Sequence, residues 1–311
     1  MSYIVTGGCG FIGSNFVNFL NEFVADEIVV IDSLTYAANL DHLADSDKIR
    51  HIKVDIANNS NNINQIFEHN NIEAVFHFAA ESHVDNSITG PSKFVETNIV
   101  GTFNLLEATR RHGNGCRFVH VSTDEVYGAL TEDGSSFLET KLLEPNNVYS
   151  ASKASSDLLV RSYNRTFGLD VVTTRCCNNY GPHQDTEKLL PKVISNALND
   201  VSIPVYGKGD NVREWIYVKD HCRAIWEVYT LGNTNEVYNI GSGIEISNLK
   251  LVQNVLTSLD KPFNLIKFVA DRPGHDFRYS IDNSKFMSMV SEFEFTDFDE
   301  GLKTTIDWYR S

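Results

Sequence analysis

Ser2-Tyr3-Ile4-Val5-Thr6-Gly7-Gly8-Cys9-Gly10-Phe11-Ile12-Gly13 is the stretch on which the reading of this sequence turns. Its first part is a short β-branched and aromatic run, the pattern of a buried strand. Its second part spaces glycines 7, 10 and 13 as GxxGxxG and leads into an amphipathic pattern, Gly13–Phe23, that reads as a helix. A strand, a tight glycine turn and a helix start let the backbone approach a pyrophosphate, which the free N–H groups and positive dipole end of the helix attract. A glycine cluster alone also fits a plain turn that needs positive φ. Its place after a strand, before a helix and inside a βαβ unit makes it a dinucleotide fingerprint.

Working outward, Glu27–Ile31, His51–Val54, Ala74–Phe78, Phe118–Val121 and Val171–Thr174 repeat the strand pattern. Between them Asn61–His69, Phe94–Arg111 and Ser150–Phe167 read as helices. Apolar strands alternating with helices predict an α/β fold, a Rossmann-type doubly wound parallel sheet buried on both faces. After Cys176 the rhythm breaks at Gly181-Pro182, Gly207-Lys208-Gly209-Asp210, Gly241-Ser242-Gly243 and Arg272-Pro273-Gly274. The expected division is therefore a dinucleotide-binding domain over residues 1–176 and a smaller C-terminal α/β substrate lobe over 177–311. The apolar segment within 214–240 is expected to return to the first domain.

At 311 residues, with 42% hydrophobic and 22% charged residues, the chain has material for a full core, which excludes a disordered or disulfide-stapled class. The 26 Lys+Arg against 41 Asp+Glu leave a net charge of −15, which supplies no footprint for nucleic acid. Five cysteines (Cys9, Cys116, Cys176, Cys177 and Cys222) form no CxxC pair, so neither a zinc clip nor any other metal site is expected. Reduced thiols, no leader and no run of about 18 apolar residues lead to the expectation of a soluble, unprocessed cytoplasmic protein with no membrane partner.

Asp32 ends the second predicted strand, nineteen positions beyond Gly13. A carboxylate there accepts ribose hydroxyls and repels a 2′-phosphate, so the expected dinucleotide is NAD rather than NADP. A helix cap or turn role for Asp32 is the plainer alternative. Asp55-Ile56, after the third strand, is placed to hold the adenine. Tyr149 and Lys153 stand at i and i+4 on one face of a predicted helix. A neighbouring ammonium favours phenolate, so Lys153 is expected to lower the Tyr149 pKa towards that of a general base. Ser122-Thr123-Asp124-Glu125-Val126-Tyr127 follows a strand's carboxyl end, where open parallel sheets bind ligands. Two adjacent carboxylates there suit a reaction needing one acid and one base; the alternative is an acidic loop capping a turn.

The glycine loop and the Tyr149/Lys153 pair together resemble the short-chain dehydrogenase/reductase superfamily in its extended, sugar-nucleotide branch. Adding Thr123-Asp124-Glu125, Ala79-Ala80-Glu81-Ser82-His83-Val84-Asp85 and Asp271-Arg272-Pro273-Gly274-His275-Asp276, the chain resembles the nucleoside-diphosphoglucose 4,6-dehydratases from Ile4 to about Tyr309. The nearest match is to those of deoxysugar and rhamnose synthesis that act on dTDP-glucose, with the UDP-glucose enzymes as the alternative. Nucleotide-sugar 4-epimerases and UDP-glucuronate decarboxylases are further alternatives, but the epimerases usually carry a small Ser-rich segment in place of Thr123-Asp124-Glu125. A non-catalytic NAD-sensing regulator is a reading from another class, and such proteins tend to lose the tyrosine or lysine retained here.

The resemblance implies the chemistry and its residues. Tyr149, with Lys153, takes the carbon-4 hydroxyl proton as hydride passes to NAD, and Thr123 holds that oxygen. Glu125 then removes the carbon-5 proton, and protonated Asp124 donates to the departing carbon-6 hydroxyl. Hydride returns to carbon 6. For the cofactor the resemblance implies Gly7, Gly10, Phe11, Ile12, Gly13, Asp32, Ser33, Leu34, Thr35, Asp55, Ile56, Phe78, Ala79, Ala80, Ser82, Thr97, Ser122, Tyr149, Lys153 and Asn179. For the nucleotide sugar it implies Ser82, Thr123, Asn178, Lys188, Leu189, Pro204, Val205, Tyr206, Arg213, Asn248, Asp271, Arg272, Pro273, Gly274 and His275. Arg213 and Arg272 are the expected phosphate ligands, since a guanidinium gives bidentate, permanently charged contacts; a surface ion pair with Glu214 is the alternative for Arg213. A homodimer is implied through Phe94–Arg111 and Ser150–Phe167. The chain departs from the family at Cys9 in the glycine loop, at Cys177 beside Cys176, at His183-Gln184-Asp185-Thr186, and in a shortened Gly128–Glu144 loop.

Overall fold

The computed structural model describes residues 1–113, 115–271 and 276–310. Its strands are β1 (Ser2–Thr6), β2 (Glu27–Asp32), β3 (Ile49–Lys53), β4 (Ile72–His77), β5 (Arg117–Thr123), β6 (Val171–Cys176), β7 (Asn178–Tyr180), β8 (Ile203–Tyr206), β9 (Val212–Tyr217), β10 (Val237–Ile240), β11 (Glu245–Ser247) and β12 (Ile266–Val269). The helices are α1 (Phe11–Phe23), α2 (Ser60–Glu68), α3 (Val84–Thr89), α4 (Pro91–Phe94), α5 (Thr102–His112), α6 (Val148–Phe167), α7 (Leu189–Leu198), α8 (Val218–Leu231), α9 (Asn248–Ser258), α10 (Ser284–Met289) and α11 (Phe298–Arg310).

Seven strands form one sheet in the order β10-β6-β5-β4-β1-β2-β3, and every pairing in it is parallel. The strands read as unbroken apolar runs because both faces are buried. Ile4, Val29, Val75, Phe118 and Val171 enter the core under α2, α5 and α6. Their neighbours Val5, Val30, Phe76, Val119 and Val172 enter the core under α1 and α8. The strand order turns back between β1 and β4, and there the connections leave in opposite directions and open a crevice at the carboxyl ends.

Part of the chain beyond residue 176 returns to this sheet. Helix α8 packs against α1, and β10 adds to the edge beside β6. Of residues 214–240, the returning part is 218–240; residues 214–217 belong to β9, at the centre of a small sheet between β7 and β11. The period-2 alternation of β9 serves two cores at once. Ile216 packs with the large sheet, whereas Trp215 and Tyr217 pack in the small lobe with Leu190, Leu251 and Leu302 of α7, α9 and α11.

Two helices differ from the sequence pattern. Helix α6 begins at Val148, because the Asn147 side chain accepts from the Ser150 N–H (2.9 Å) and the Ser150 hydroxyl accepts from the Asn147 N–H (3.3 Å), a reciprocal cap. The run expected as one helix over Phe94–Arg111 starts at Pro91 and widens into a π-helical segment, Val95–Gly101, before α5. Wide turns of this kind break the 3.6 period and cluster at functional sites. Here it carries Thr97 on the wall of the main cavity and Asn98, whose amide bonds both backbone groups of Glu81 and the Ser152 hydroxyl.

Candidate active site

The glycine loop lies against the end of β4. Gly7 takes φ +69, and a Cβ on it would sit 2.6 Å from the Ala79 nitrogen; one on Gly13 would sit 2.1 Å from the Gly7 carbonyl oxygen. Only hydrogen fits at either place. Gly10 caps α1 without a side chain, and Gly10 to Gly13 border a cavity of about 690 Å³. Asp32 closes one side, its Oδ2 accepting from Cys9 N–H (2.9 Å) and its Oδ1 from Leu34 N–H (2.8 Å). The carboxylate is therefore both a brace of the glycine loop and part of the cavity wall. Asp55 likewise braces its turn, through Ala57 N–H and the Asn58 amide, while facing the cavity. Side-chain-free backbone at a helix N-terminus, with a carboxylate at the next strand end, fits the pyrophosphate and ribose of a dinucleotide. Every residue expected to hold the cofactor borders this cavity except Leu34, whose side chain packs on the core.

The other end of the cavity holds the acid and base groups. Thr123 ends β5 and caps the 3₁₀ turn Asp124–Tyr127, accepting from Glu125 N–H at 3.3 Å and donating to Asp124 Oδ1 at 3.2 Å. Asp124 is 2% exposed, and its Oδ2 has no hydrogen-bond partner among the described residues. Burial, then the charges of Glu125 and Glu214, hold its carboxyl well above the usual range, which favours its protonated form. Glu125 is less buried, and Asn147 Nδ2 approaches its Oε2 at 3.5 Å.

Tyr149 and Lys153 face the same cavity from α6. With Lys153 four residues on along the helix, the Tyr149 pKa is nonetheless raised on balance. Burial, then Glu125 and Cys176, push the phenol well above its ordinary value, with a Thr123 hydrogen bond opposing them. The Lys153 ammonium donates to the Val121 carbonyl of β5 at 2.8 Å. Burial in turn brings Lys153 down to about 8, partly offset by Asp157.

Among the expected sugar-nucleotide residues, Ser82, Thr123, Asn178 and Lys188 border the cavity. Lys188 Nζ spans to the Ser82 carbonyl at 2.9 Å, joining the small lobe to the end of β4. Leu189 and Val205 instead pack in the core of the small lobe, and Pro204 and Tyr206 flank Val205 on β8. Arg213 is buried, donating to the carbonyls of Val212, Asp276 and Phe277 and lying over the Tyr279 ring at 4.5 Å. It makes no surface pair with Glu214, which is buried and takes the N–H groups of Gly243 and Ile281. Asn248 begins α9 with its N–H on Asn211, and Asp271 lies beside Gly207. Arg272, Pro273, Gly274 and His275 lie outside the described residues. Gln184, quoted in the sequence only as part of a departure from the family, borders the cavity, as do Glu187 and Lys93, which the sequence reading did not name as site residues although Glu187 adjoins Lys188. It also missed Asn98, whose only signal is a polar residue on an otherwise apolar helix face.

The fold and cavity define an NAD-type dinucleotide site joined to an acid/base cluster, and the chain belongs to the family described as GDP-mannose 4,6 dehydratase, whose model matches residues 4–305. Within that family, the chain is 46% identical to dTDP-glucose 4,6-dehydratase 1 of Escherichia coli (strain K12), over 100% of this chain and 93% of the relative. It superposes with TM-score 0.94 and 46% identity on the crystal structure of the dTDP-glucose 4,6-dehydratase from Streptomyces venezuelae with NAD bound, covering 100% of this chain and 97% of that one. A UDP-glucose 4-epimerase of Thermus thermophilus in complex with NAD also superposes, with TM-score 0.92 at 27% identity, covering 100% and 99%. The fold is thus shared between the two chemistries and does not by itself separate them.

Proposed function

We propose that this chain is an NAD-dependent hydro-lyase that converts dTDP-glucose into dTDP-4-keto-6-deoxyglucose and water. The observation that carries the reading is Asp124: a buried carboxyl kept protonated beside Thr123 and Glu125, in the cavity that also holds Tyr149. A 4-epimerase needs a base at the carbon-4 hydroxyl but no such acid.

Gly7, Gly10–Gly13, Asp32 and Asp55 would hold NAD, which would supply the hydride acceptor for carbon 4 and the hydride donor for carbon 6. Tyr149 takes the carbon-4 hydroxyl proton, and Thr123, already a donor to Asp124, orients that oxygen. The 4-keto group acidifies the carbon-5 hydrogen, which the more open Glu125 carboxylate removes. Asp124 protonates the carbon-6 hydroxyl as it leaves, and Glu125 returns a proton to carbon 5 when carbon 6 has gained hydride. Ser82, Asn178 and Lys188 border the sugar end, while Arg213, Asn248 and Asp271 serve the diphosphate and base. Two subunits associate through α5 and α6, whose faces expose Phe103, Leu158 and Phe167 in the single chain. All five cysteines are free and buried, which suits a reducing compartment such as the cytoplasm.

Incubation with dTDP-glucose and, separately, UDP-glucose tests the reading through the alkaline absorbance of the 4-keto product. Faster turnover of dTDP-glucose is expected. Preference for UDP-glucose overturns the base assignment, and release of a carbon-4 epimer without 4-keto product overturns the dehydratase.

A further inference from the structure

Behind the catalytic lysine lies a charged cluster that the proposed reaction does not use. Asp157 stands one turn after Lys153 on α6 and is 5% exposed. Its Oδ2 accepts from Arg175 Nε of β6 at 2.9 Å, and His120 Nε2 of β5 lies 3.2 Å from its Oδ1. Arg175 is also 5% exposed, and its guanidinium lies 4.7 Å over the Tyr127 ring. The Tyr127 hydroxyl is anchored on Asn239 of β10 at 2.7 Å. Aspartate and arginine are thus locked between α6 and the sheet. A buried ion pair is weak evidence for stability, because desolvation cancels most of its attraction. Its position directly behind a working lysine calls for another account.

We propose that Asp157 is a positioning residue: with Arg175 behind it, it sets the charge balance of the Tyr149–Lys153 pair and so the pH range in which that pair acts as a base. The proposal rests on the reading of Tyr149 and Lys153 given above.

The groups facing the cluster make the argument specific. From α6 come Lys153 and Tyr149; from β6, Arg175 and Cys176; from β5, His120; from β4, His77; from the turn after β5, Tyr127, with Asp124 and Glu125 of the same turn facing Tyr149 from the cavity side and left in place in every variant. Burial brings His120 down to about 4 and His77 well below its ordinary range, so both are neutral at working pH. His77 is further held between the hydroxyls of Thr6 (2.7 Å) and Thr102 (2.8 Å). Burial raises Cys176 to about 12 and Tyr127 to about 12, which keeps both neutral. Burial alone would raise Asp157, but Arg175 and His120 outweigh it and hold the carboxyl at about 2. The fixed charges against Lys153 are therefore one carboxylate, and one guanidinium lying beyond it. The carboxylate is nearer, and its sign favours the ammonium.

Tyr149 and Lys153 stand one helical turn apart on α6, so the prediction concerns the macroscopic pKa values of the two together. Removing a negative charge makes both deprotonations easier; removing a positive charge makes both harder. Asp157→Asn therefore moves the pH profile of carbon-4 oxidation towards acid, whereas Asp157→Glu, which keeps the charge, leaves it near that of the wild type. A unit charge ~6 Å away at an effective dielectric of ~20 gives a shift of about one to two pH units.

Single-turnover oxidation is measured across the pH range for wild type and both variants of the full chain. A second readout needs no turnover: near-ultraviolet tyrosinate absorbance, taken as the difference between each protein and its Tyr149→Phe version. An acid-ward shift for Asp157→Asn and a near wild-type profile for Asp157→Glu, in both readouts, are the expected result. An unmoved or alkaline-shifted Asp157→Asn profile overturns the proposal. Should neither single variant fold, Asp157→Asn/Arg175→Gln removes both charges together. An acid-ward shift, smaller than one unit charge gives, is then expected because Asp157 is the nearer group, and a wild-type profile overturns the idea. If Tyr149→Phe itself leaves oxidation intact, the reading of the base has failed rather than the role of Asp157.

Discussion

Asp124→Asn, paired with Glu125→Gln, separates the elimination from the oxidation that precedes it. Asparagine keeps the volume of the side chain and still offers an oxygen to the Thr123 hydroxyl, which donates to Asp124 Oδ1 at 3.2 Å. What it cannot do is give up a proton. Loss of one general acid or base costs about 10²–10⁴ in rate, roughly 3–5 kcal/mol of barrier. With Tyr149 and Lys153 untouched, both variants should still oxidise carbon 4. In single turnover with dTDP-glucose, NADH absorbance is therefore expected to rise and persist, while 4-keto-6-deoxy product falls by at least about 100-fold. Solvent deuterium exchange at carbon 5 should fall chiefly in Glu125→Gln. Stability supplies an independent check on the same carboxyl. The folded pKa of Asp124 lies above its unfolded value of about 3.9. Its contribution to folding is therefore intact below that value and is lost as pH rises through the folded pKa. The asparagine variant has no such loss, so its thermal midpoint relative to wild type should climb as pH increases. Product formation at the wild-type rate in both variants refutes the dehydratase reasoning. A wild-type midpoint that falls no faster with pH than that of the variant refutes the protonated-acid argument.

Tyr149→Phe should remove the NADH transient in single turnover, with a rate loss of about 10²–10⁴, while nucleotide-sugar affinity changes little; a surviving transient assigns the base elsewhere. Gly7→Ala forces a Cβ to 2.6 Å from the Ala79 nitrogen at φ +69, so about 1–3 kcal/mol of backbone strain and loss of bound dinucleotide are expected, read by thermal denaturation and by nucleotide released on unfolding. In that release assay the wild-type protein should yield mainly NAD, and mainly NADP would contradict the role given to Asp32. Light scattering should report a dimer at micromolar concentration, and Phe103→Glu with Leu158→Glu should shift it towards monomer; a monomeric wild type contradicts the pairing through α5 and α6.

The chemistry-bearing groups that stood out in the sequence are those whose geometry is local. A glycine turn between a strand and a helix, a tyrosine four residues before a lysine, and Thr123-Asp124-Glu125 at a strand end each place their atoms through one element and its period. Segments of strand pattern were legible for the same reason: β1, β2, β4, β5 and β6 are apolar on both faces and need no knowledge of their partners.

Other features were set by contacts between distant parts of the chain. The widening at Val95–Gly101 answers to Glu81 and Ser152, which Asn98 reaches across the fold. Which way the Lys153 ammonium points is decided by a carbonyl 32 residues away, and the burial that raises Tyr149 exists only in the packed fold. Asp157 and Arg175 come from a helix and a strand 18 residues apart and meet only once both pack on the sheet. Residue types and their short spacings thus determined the class of fold and the inventory of acids, bases and cofactor contacts. Burial decided which carboxyl keeps its proton, where the lysine charge acts and which charges stand behind it, because desolvation and Coulomb energy depend on separations in space that no sequence period encodes.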